Sequence, residues 1–335
     1  MHFVTGATGL LGSHIAEQLV KRGERVRALV RPGSDTRFLA SLGVELFSGD
    51  LADLETLRRG VAGAKVVYHS ACKVGDWGAW REFCRDTLDG TRNILQASAD
   101  AGVARVVHVS SISAYGHPKP RPEPITEAEP LATRFWPFWD YYTRAKVEAE
   151  RIVEDFRTRT GLPITVIRPG WLYGPRDRTS IFRLARSLRL GRVWIIGDGT
   201  NRLNTVYAGN VAEACLLASA HPAAAGQAYN VCSDGPITQR EYLDRFADAL
   251  GLPRPRRHAP YRAVFLFAFL LEAYFRLRRQ PNPPYITRYA AWLLGRNTIY
   301  STAKAERELG WKPTVSYAEG IQRTADWYKT QAAHP

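Results

Sequence analysis

A chain of 335 residues, 45 % of them hydrophobic, can bury a substantial core, and its apolar residues run throughout without homopolymer, Gly/Ser tract or fixed-period repeat, which excludes disorder and solenoid architectures. A formal net charge of +14 raises nucleic acid, an anionic membrane or an anionic cofactor as partners, but Lys and Arg are scattered, with no basic helix or aromatic RNA-binding signature, which argues against nucleic acid. Cys72, Cys84, Cys215 and Cys232 have neither CxxC pairing nor metal-ligand spacing, so no metal site is expected, and a chain that starts on a strand without a signal peptide predicts a reducing cytoplasm.

In chain order, short β-branched runs alternate with longer helical patterns. His2 to Thr5, Arg25 to Val30, Val44 to Phe47, Lys65 to His69, Ala104 to Val109 and Pro163 to Arg168 read as strands. Their nearly continuous apolar character is that of a sheet covered on both faces. Leu10 to Lys21, Ala79 to Asp100 and Tyr141 to Thr160 read as helices between them, giving an α/β fold with a doubly wound, Rossmann-like parallel sheet. After Arg168 come turn-rich stretches at Tyr173 to Arg178 and Gly197 to Asn204; Val206 to Ala220 and Gly226 to Cys232 then read as a helix and a strand returning to the sheet, and the chain from Pro236 is mainly helical. The predicted division is discontinuous: 1–171 plus 205–235 for a dinucleotide, and 172–204 plus 236–335 as a smaller substrate-binding region.

The strongest cofactor signal is Thr5-Gly6-Ala7-Thr8-Gly9-Leu10-Leu11-Gly12, between the first strand and the first helix. A tight glycine turn lets backbone N–H groups and a helix N-terminus approach a pyrophosphate. At the end of the second strand, Arg31 suits a 2′-phosphate and favours NADP(H), while Asp35, close in sequence, keeps NAD(H) open. Tyr142 and Lys146 lie four residues apart on one helix face. A free phenol titrates near ~10, and a neighbouring ammonium with an oxidised nicotinamide would favour the phenolate. Ser111, just past a buried-looking strand, is placed to hydrogen-bond a reacting oxygen; a turn-capping serine is the plainer reading.

Taken together, the Gly6/Gly9/Gly12 turn, Gly49-Asp50-Leu51, Ser111, Tyr142/Lys146 and Arg168-Pro169-Gly170 resemble, in order and across nearly the whole chain, the extended short-chain dehydrogenase/reductase superfamily, of the NAD-dependent epimerase/dehydratase type. Ala71 to Gly78 and Pro284-Tyr285-Ile286-Thr287-Arg288 resemble its 3β-hydroxysteroid dehydrogenase and 2-alkyl-3-oxoalkanoate reductase branch. The resemblance implies that Ser111, Tyr142 and Lys146 are catalytic and that Asp50 and Leu51 sit near adenine. It implies further that Ala71, Lys73 and Thr87 contribute to the cofactor site, and that Pro169, Gly170, Trp171 and Leu172 approach the nicotinamide. Thr87 departs from the asparagine that relatives place beneath the active site, which puts the supporting polar network in doubt.

Ala263 to Leu271 is an apolar run flanked by Arg256, Arg257, Arg276, Arg278 and Arg279. It is too short for a span of about 20 residues, and reads as a buried substrate-region helix ahead of a peripheral membrane contact through 263–279. Trp136, Phe138 and Trp139 before the catalytic helix, with Trp77 and Trp80 after the fourth strand, suggest an apolar pocket, and Tyr173 joins Trp77, Ser111 and Trp139 as a substrate residue. The sequence thus predicts an NAD(P)-dependent dehydrogenase or reductase for a bulky hydrophobic small molecule, with a homodimer open. A sugar-nucleotide epimerase or dehydratase is the competing enzyme, and a non-catalytic dinucleotide-sensing interaction protein is the alternative outside enzymes.

Overall fold

The computed structural model describes residues 1–333; His334 and Pro335, the end of the 236–335 segment, lie outside the described residues. The strands are β1 (His2–Thr5), β2 (Val26–Val30), β3 (Glu45–Ser48), β4 (Val66–His69), β5 (Arg105–Val109), β6 (Ile164–Pro169), β7 (Trp171–Tyr173), β8 (Trp194–Ile196), β9 (Thr205–Tyr207), β10 (Ala228–Val231) and β11 (Arg257–Ala259). The helices are α1 (Leu10–Lys21), α2 (Arg37–Ser41), α3 (Leu54–Val61), α4 (Trp80–Phe83), α5 (Gly90–Asp100), α6 (Tyr141–Thr160), α7 (Ser180–Arg189), α8 (Ala208–Ala220), α9 (Gln239–Leu250), α10 (Tyr261–Leu277), α11 (Arg288–Gly295), α12 (Ala303–Leu309) and α13 (Tyr317–Ala333).

Seven strands form one parallel sheet in the order β10-β6-β5-β4-β1-β2-β3. The central strands β1, β4 and β6 are buried along their whole length because helices cover both faces. On one face Ile15, Leu19, Val211 and Leu216 of α1 and α8 pack against the sheet. On the other, Leu57, Ile94, Val153 and Phe156 of α3, α5 and α6 do the same. The chain winds outward from β1 to β3, then returns to β4 on the other side of β1. That reversal opens a crevice beyond the carboxyl ends of β1 and β4, where open α/β sheets hold ligands.

Several elements differ from the sequence reading. β3 is an edge strand and largely exposed, with Leu46 facing water, so it lacks the two-sided cover expected of every strand. The stretch read as one helix over Ala79 to Asp100 is α4 and α5 joined by a π-helical turn at Cys84–Asp89. The first residues of the helix read from Val206 belong instead to β9, which pairs with β7 outside the main sheet. Such three-residue strands carry too little pattern to announce themselves. A third cluster, with Tyr173, Ile181, Tyr242, Phe246 and Tyr317, packs segments of 172–204 against those after Pro236. Finally, α10 is not a buried helix: among its residues only Ala268 and Glu272 are fully buried.

Candidate active site

At the head of the crevice, the turn from β1 into α1 is packed too tightly for side chains. Gly6 adopts φ 71°, and a Cβ there would lie 2.8 Å from the Ala71 backbone nitrogen. A Cβ on Gly12 would stand 2.2 Å from the Gly6 carbonyl oxygen, a contact between two backbones that nothing can relieve. Gly9 occupies the N-cap of α1 without a side-chain cap, and no acid sits in the first turn. The N-terminal N–H groups around Leu10 and Leu11 therefore keep their capacity for an anion, and this glycine cradle fits a dinucleotide pyrophosphate. Thr8 is half-buried beside it.

The carboxyl end of β4 is pinned to this turn. His69 bonds Thr5 Oγ1 through Nδ1 at 2.8 Å and Thr91 Oγ1 through Nε2 at 3.1 Å. Ser70 Oγ donates to the Thr5 carbonyl, and the Ala71 N–H donates to Thr5 Oγ1. Thr87 sits buried in the π-helical turn and accepts the Lys73 N–H at 3.1 Å, so threonine does supply one support in the position where the resemblance expected asparagine. The Lys73 ammonium is held by Glu82 at 2.6 Å. Farther along the crevice Asp50 caps its own turn by accepting the Ala52 N–H, and Leu51 packs on Gly90. Arg31 is exposed at the end of β2. Asp35 is engaged by Arg37 and Arg178, whose guanidinium groups hold its carboxyl well below the usual range.

Tyr142, Lys146 and Glu150 follow one another at four-residue steps along α6 and share the face turned to the sheet. Lys146 is 3 % exposed; its Nζ donates to the Val109 carbonyl at 3.3 Å and to Cys72 Sγ at 3.4 Å, and lies 5.9 Å from the centre of the Tyr142 ring. Ser111, two residues past Val109, caps a 3₁₀ turn and donates to Ser113 Oγ at 3.0 Å. Ser113 in turn shares a 2.6 Å hydrogen bond with the hydroxyl of Tyr289, whose ring meets that of Tyr142 edge to face at 5.4 Å. Tyr142, Lys146 and Ser111 thus converge where β5 meets α6.

The phenol of Tyr142 is perturbed by its surroundings. Burial, followed by the influence of Cys72 and Asp76, pushes its phenol pKa up, and the neighbouring Ser111 hydroxyl only partly opposes the shift. A desolvated phenolate is costly, and the positive charge of Lys146, 5.9 Å from the ring centre, acts against that cost. The phenol stands protonated, as a donor.

Beside Tyr142 lies a narrow cleft bordered by Trp136, Trp139 and Tyr289, but also by Asp76, Asp140, Glu272, Arg276 and Arg288. The apolar pocket read from the tryptophans is therefore half ionic. Glu272 and Arg288 neutralise each other at 2.8 Å, and Arg288 also donates to the Pro137 and Phe138 carbonyls, holding the loop in which Phe138 and Trp139 take left-handed φ of 61° and 57°. His117 stacks on Trp136 at 3.4 Å and bonds Asp140, the residue before α6. Trp77 packs under Arg276, and its indole donates to the Gln280 carbonyl. Trp80 lies elsewhere, beneath Arg144 and against Tyr141. Tyr173 is not brought to the cleft: its hydroxyl donates to Asp234 within the third cluster.

Pro169 closes β6, and the chain leaves the sheet through a gap only glycine fits, since a Cβ on Gly170 would stand 2.4 Å from the Asn204 carbonyl oxygen. The Trp171 N–H donates to that same carbonyl, and Leu172 packs on the core. The residues that sequence reading missed are Tyr289, Arg276 as a lining group, and the Glu150–Arg168 pair. Glu150 carried a signal, its place two turns after Tyr142; Tyr289 carried none, because only tertiary packing brings α11 to α6.

Comparison with known proteins agrees with this architecture. The model of the NAD dependent epimerase/dehydratase family matches residues 2–232. The chain is 31 % identical over 327 residues to a 2-alkyl-3-oxoalkanoate reductase of Stenotrophomonas maltophilia (strain K279a), covering 96 % of this chain and 97 % of that one. It is 30 % identical to the sterol-4-alpha-carboxylate 3-dehydrogenase, decarboxylating, of Mus musculus, covering 96 % and 89 %. The crystal structure of gox2253 superposes with a TM-score of 0.81 at 27 % identity, covering 99 % of this chain and 98 % of that one.

Proposed function

This chain belongs to the NAD dependent epimerase/dehydratase family and is an oxidoreductase of its 3β-hydroxysteroid dehydrogenase and 2-alkyl-3-oxoalkanoate reductase branch, and from that premise we propose that it interconverts a secondary alcohol and a ketone on a bulky hydrophobic substrate. The observation that carries the reading is the convergence of Tyr142 with a buried Lys146 and with Ser111 at the carboxyl edge of the sheet.

In the direction of reduction Tyr142 donates its proton to the carbonyl oxygen while Ser111 orients that oxygen by a hydrogen bond. Lys146, fixed by Val109 and Cys72, supplies positive charge to the phenolate left behind. A nicotinamide held there would supply the hydride in reduction and accept it in oxidation. Gly6, Gly9 and Gly12, with the N-terminus of α1, would hold the pyrophosphate, Asp50 and Leu51 would lie by the adenine, and Pro169 to Leu172 by the nicotinamide. In this reading 1–171 plus 205–235 bind the dinucleotide, and 172–204 plus 236–335 the substrate. Arg31 favours NADP(H) over NAD(H), because Asp35 is already committed to two arginines.

A specific feature favours an acid-bearing substrate within this class. Arg276 borders the cleft, its Nε is buried without a partner, and among the described residues it forms no ion pair. The names of both relatives above contain a carboxylate beside position 3 or the 3-oxo group, an alkanoate in one and a 4-carboxylate in the other. Following nicotinamide absorbance with NADPH and NADH against 3-oxo acids, steroid ketones and nucleotide sugars tests the proposal. Stoichiometric cofactor consumption with a hydrophobic ketone is expected; turnover of nucleotide sugars without net absorbance change would replace it with the epimerase reading.

A further inference from the structure

Helix α10 has two unlike faces. Phe265, Phe269, Glu272 and Arg276 turn inward onto Trp136, Trp139, Arg288 and Trp77, so this face covers the cleft beside Tyr142. The outer face carries Leu266, Phe267, Leu270, Tyr274 and Leu277, which are 58, 55, 57, 54 and 82 % exposed. The spacing of Leu266, Leu270, Tyr274 and Leu277 sets them in one stripe, and Glu272, the acid of this helix, is buried on the opposite side. One exposed leucine needs no explanation, whereas a stripe of five large apolar groups along one helix marks a contact surface.

Both ends of the stripe are cationic. Arg256, Arg257 and Arg262 stand exposed at its N-terminal end, and Arg278 and Arg279 at its C-terminal end. At about 25 Å the helix is shorter than a bilayer's hydrocarbon core, and among the described residues no helix is long and apolar enough to cross a membrane. A surface that is apolar along its middle and basic at both ends fits the plane between acyl chains and acidic headgroups.

We propose that α10 lies in the interface of an anionic bilayer, with its leucine stripe among the acyl chains and its terminal arginines on the headgroups. The charge pattern argues against a second copy of the chain as the occupant. Whichever way two such helices pair, an arginine end meets an arginine end, and like charges facing each other oppose association. Acidic lipid supplies the missing negative charge. The proposal stands on the surface alone and does not depend on the chemistry assigned to Tyr142. It also places the cleft about one helix diameter, ~10 Å, from the lipid.

The test is co-sedimentation of the full-length protein with phosphatidylcholine vesicles, with and without phosphatidylglycerol. Binding to the phosphatidylglycerol vesicles, weakened by salt, is expected. Replacing Leu266→Glu with Leu270→Glu should lower partitioning about 100-fold or more, at about tenfold for each leucine. Arg278→Ser with Arg279→Ser should lower it about 30-fold on anionic vesicles, at about 1 kcal/mol for each arginine. Both variants should keep the parent melting temperature, since neither touches the inner face. No sedimentation with either vesicle, equal binding to both, or leucine variants that bind like the parent would overturn the proposal. So would light scattering that shows a dimer which the leucine variants split.

Discussion

Arg168 and Glu150 form a buried, two-pronged ion pair, Nη2 to Oε2 at 2.6 Å and Nε to Oε1 at 3.0 Å, one helical turn past Lys146. Glu150 also accepts the Ser110 hydroxyl, and Arg168 donates to the Tyr115 hydroxyl, which passes a hydrogen bond to Asn230. The pair therefore ties α6 to β5, β6 and β10 at the level of the candidate site. Lys146 reaches Val109 because the helix that carries it is clamped at Glu150.

A clamp of this kind contributes geometry more than net stability, yet losing one side of it is costly, because the other charge stays buried. Glu150→Ala is expected to lower the unfolding free energy by about 3–5 kcal/mol, read from urea denaturation. A loss below about 1 kcal/mol, the size found for an exposed pair, would mean that solvent reaches Arg168 and that the clamp is not closed.

Tyr142→Phe removes the proton and little else, since the ring keeps its contact with Tyr289. Turnover is expected to fall by about 10²–10⁴-fold, while NADPH affinity, followed by quenching of tryptophan fluorescence, stays within about twofold. Near-normal turnover would assign the proton to another group.

Much of this site could be read from the sequence for a physical reason. Strands such as Val66–His69 are buried on both faces and show as continuous apolar runs, and Tyr142 and Lys146 are tied by helical periodicity, which is local. What escaped was set by distant packing. Nothing near Tyr289 in sequence announces Tyr142, and the ionic lining of the cleft comes from Asp76, Glu272, Arg276 and Arg288, drawn from segments far apart in the chain. The exposure of α10 escaped for a related reason: hydrophobicity counts apolar residues but does not say which face finds a partner.

Burial also makes the link between β1, β4 and α5 sensitive to acid. His69 is pushed down to about 3 by burial, with Lys146 adding to the effect, from an unfolded value of 6.5. Between those values the unfolded chain binds the extra proton. The contribution of neutral His69 is thus complete above pH 6.5 and is lost as pH falls toward 3, at about 1.4 kcal/mol per pH unit. His14, also lowered to about 3, has the same sign. Asp234, raised to about 6 by burial, has the opposite one. His69→Gln tests this group: unfolding free energies from urea denaturation between about pH 6 and pH 4 should show a slope with pH shallower than the parent's by about 1.4 kcal/mol per unit. Parallel slopes would show that His69 is not neutral and sealed in the folded chain.

Arg276 gives the sharpest test of substrate class. Its guanidinium lies 4.4 Å from the Trp77 ring centre, 5.0 Å from that of Trp139 and 5.4 Å from that of Tyr141, and its Nη1 donates to the Gly78 carbonyl at 3.3 Å. Aromatic faces hold a cation in place but offset only part of its desolvation, and burial accordingly pulls the guanidinium pKa down. An incoming carboxylate would supply the remaining partner. Arg276→Met keeps the length and packing of the side chain while removing the charge. With a 3-oxo acid, KM should rise by about 10–100-fold, the scale of one hydrogen bond to a charged group. With a neutral ketone of similar bulk it should change by less than about threefold, and Arg276→Lys should recover part of the loss. If acid and neutral ketone suffer alike, Arg276 serves the packing of the tryptophans, and the substrate's acid group is bound elsewhere or absent.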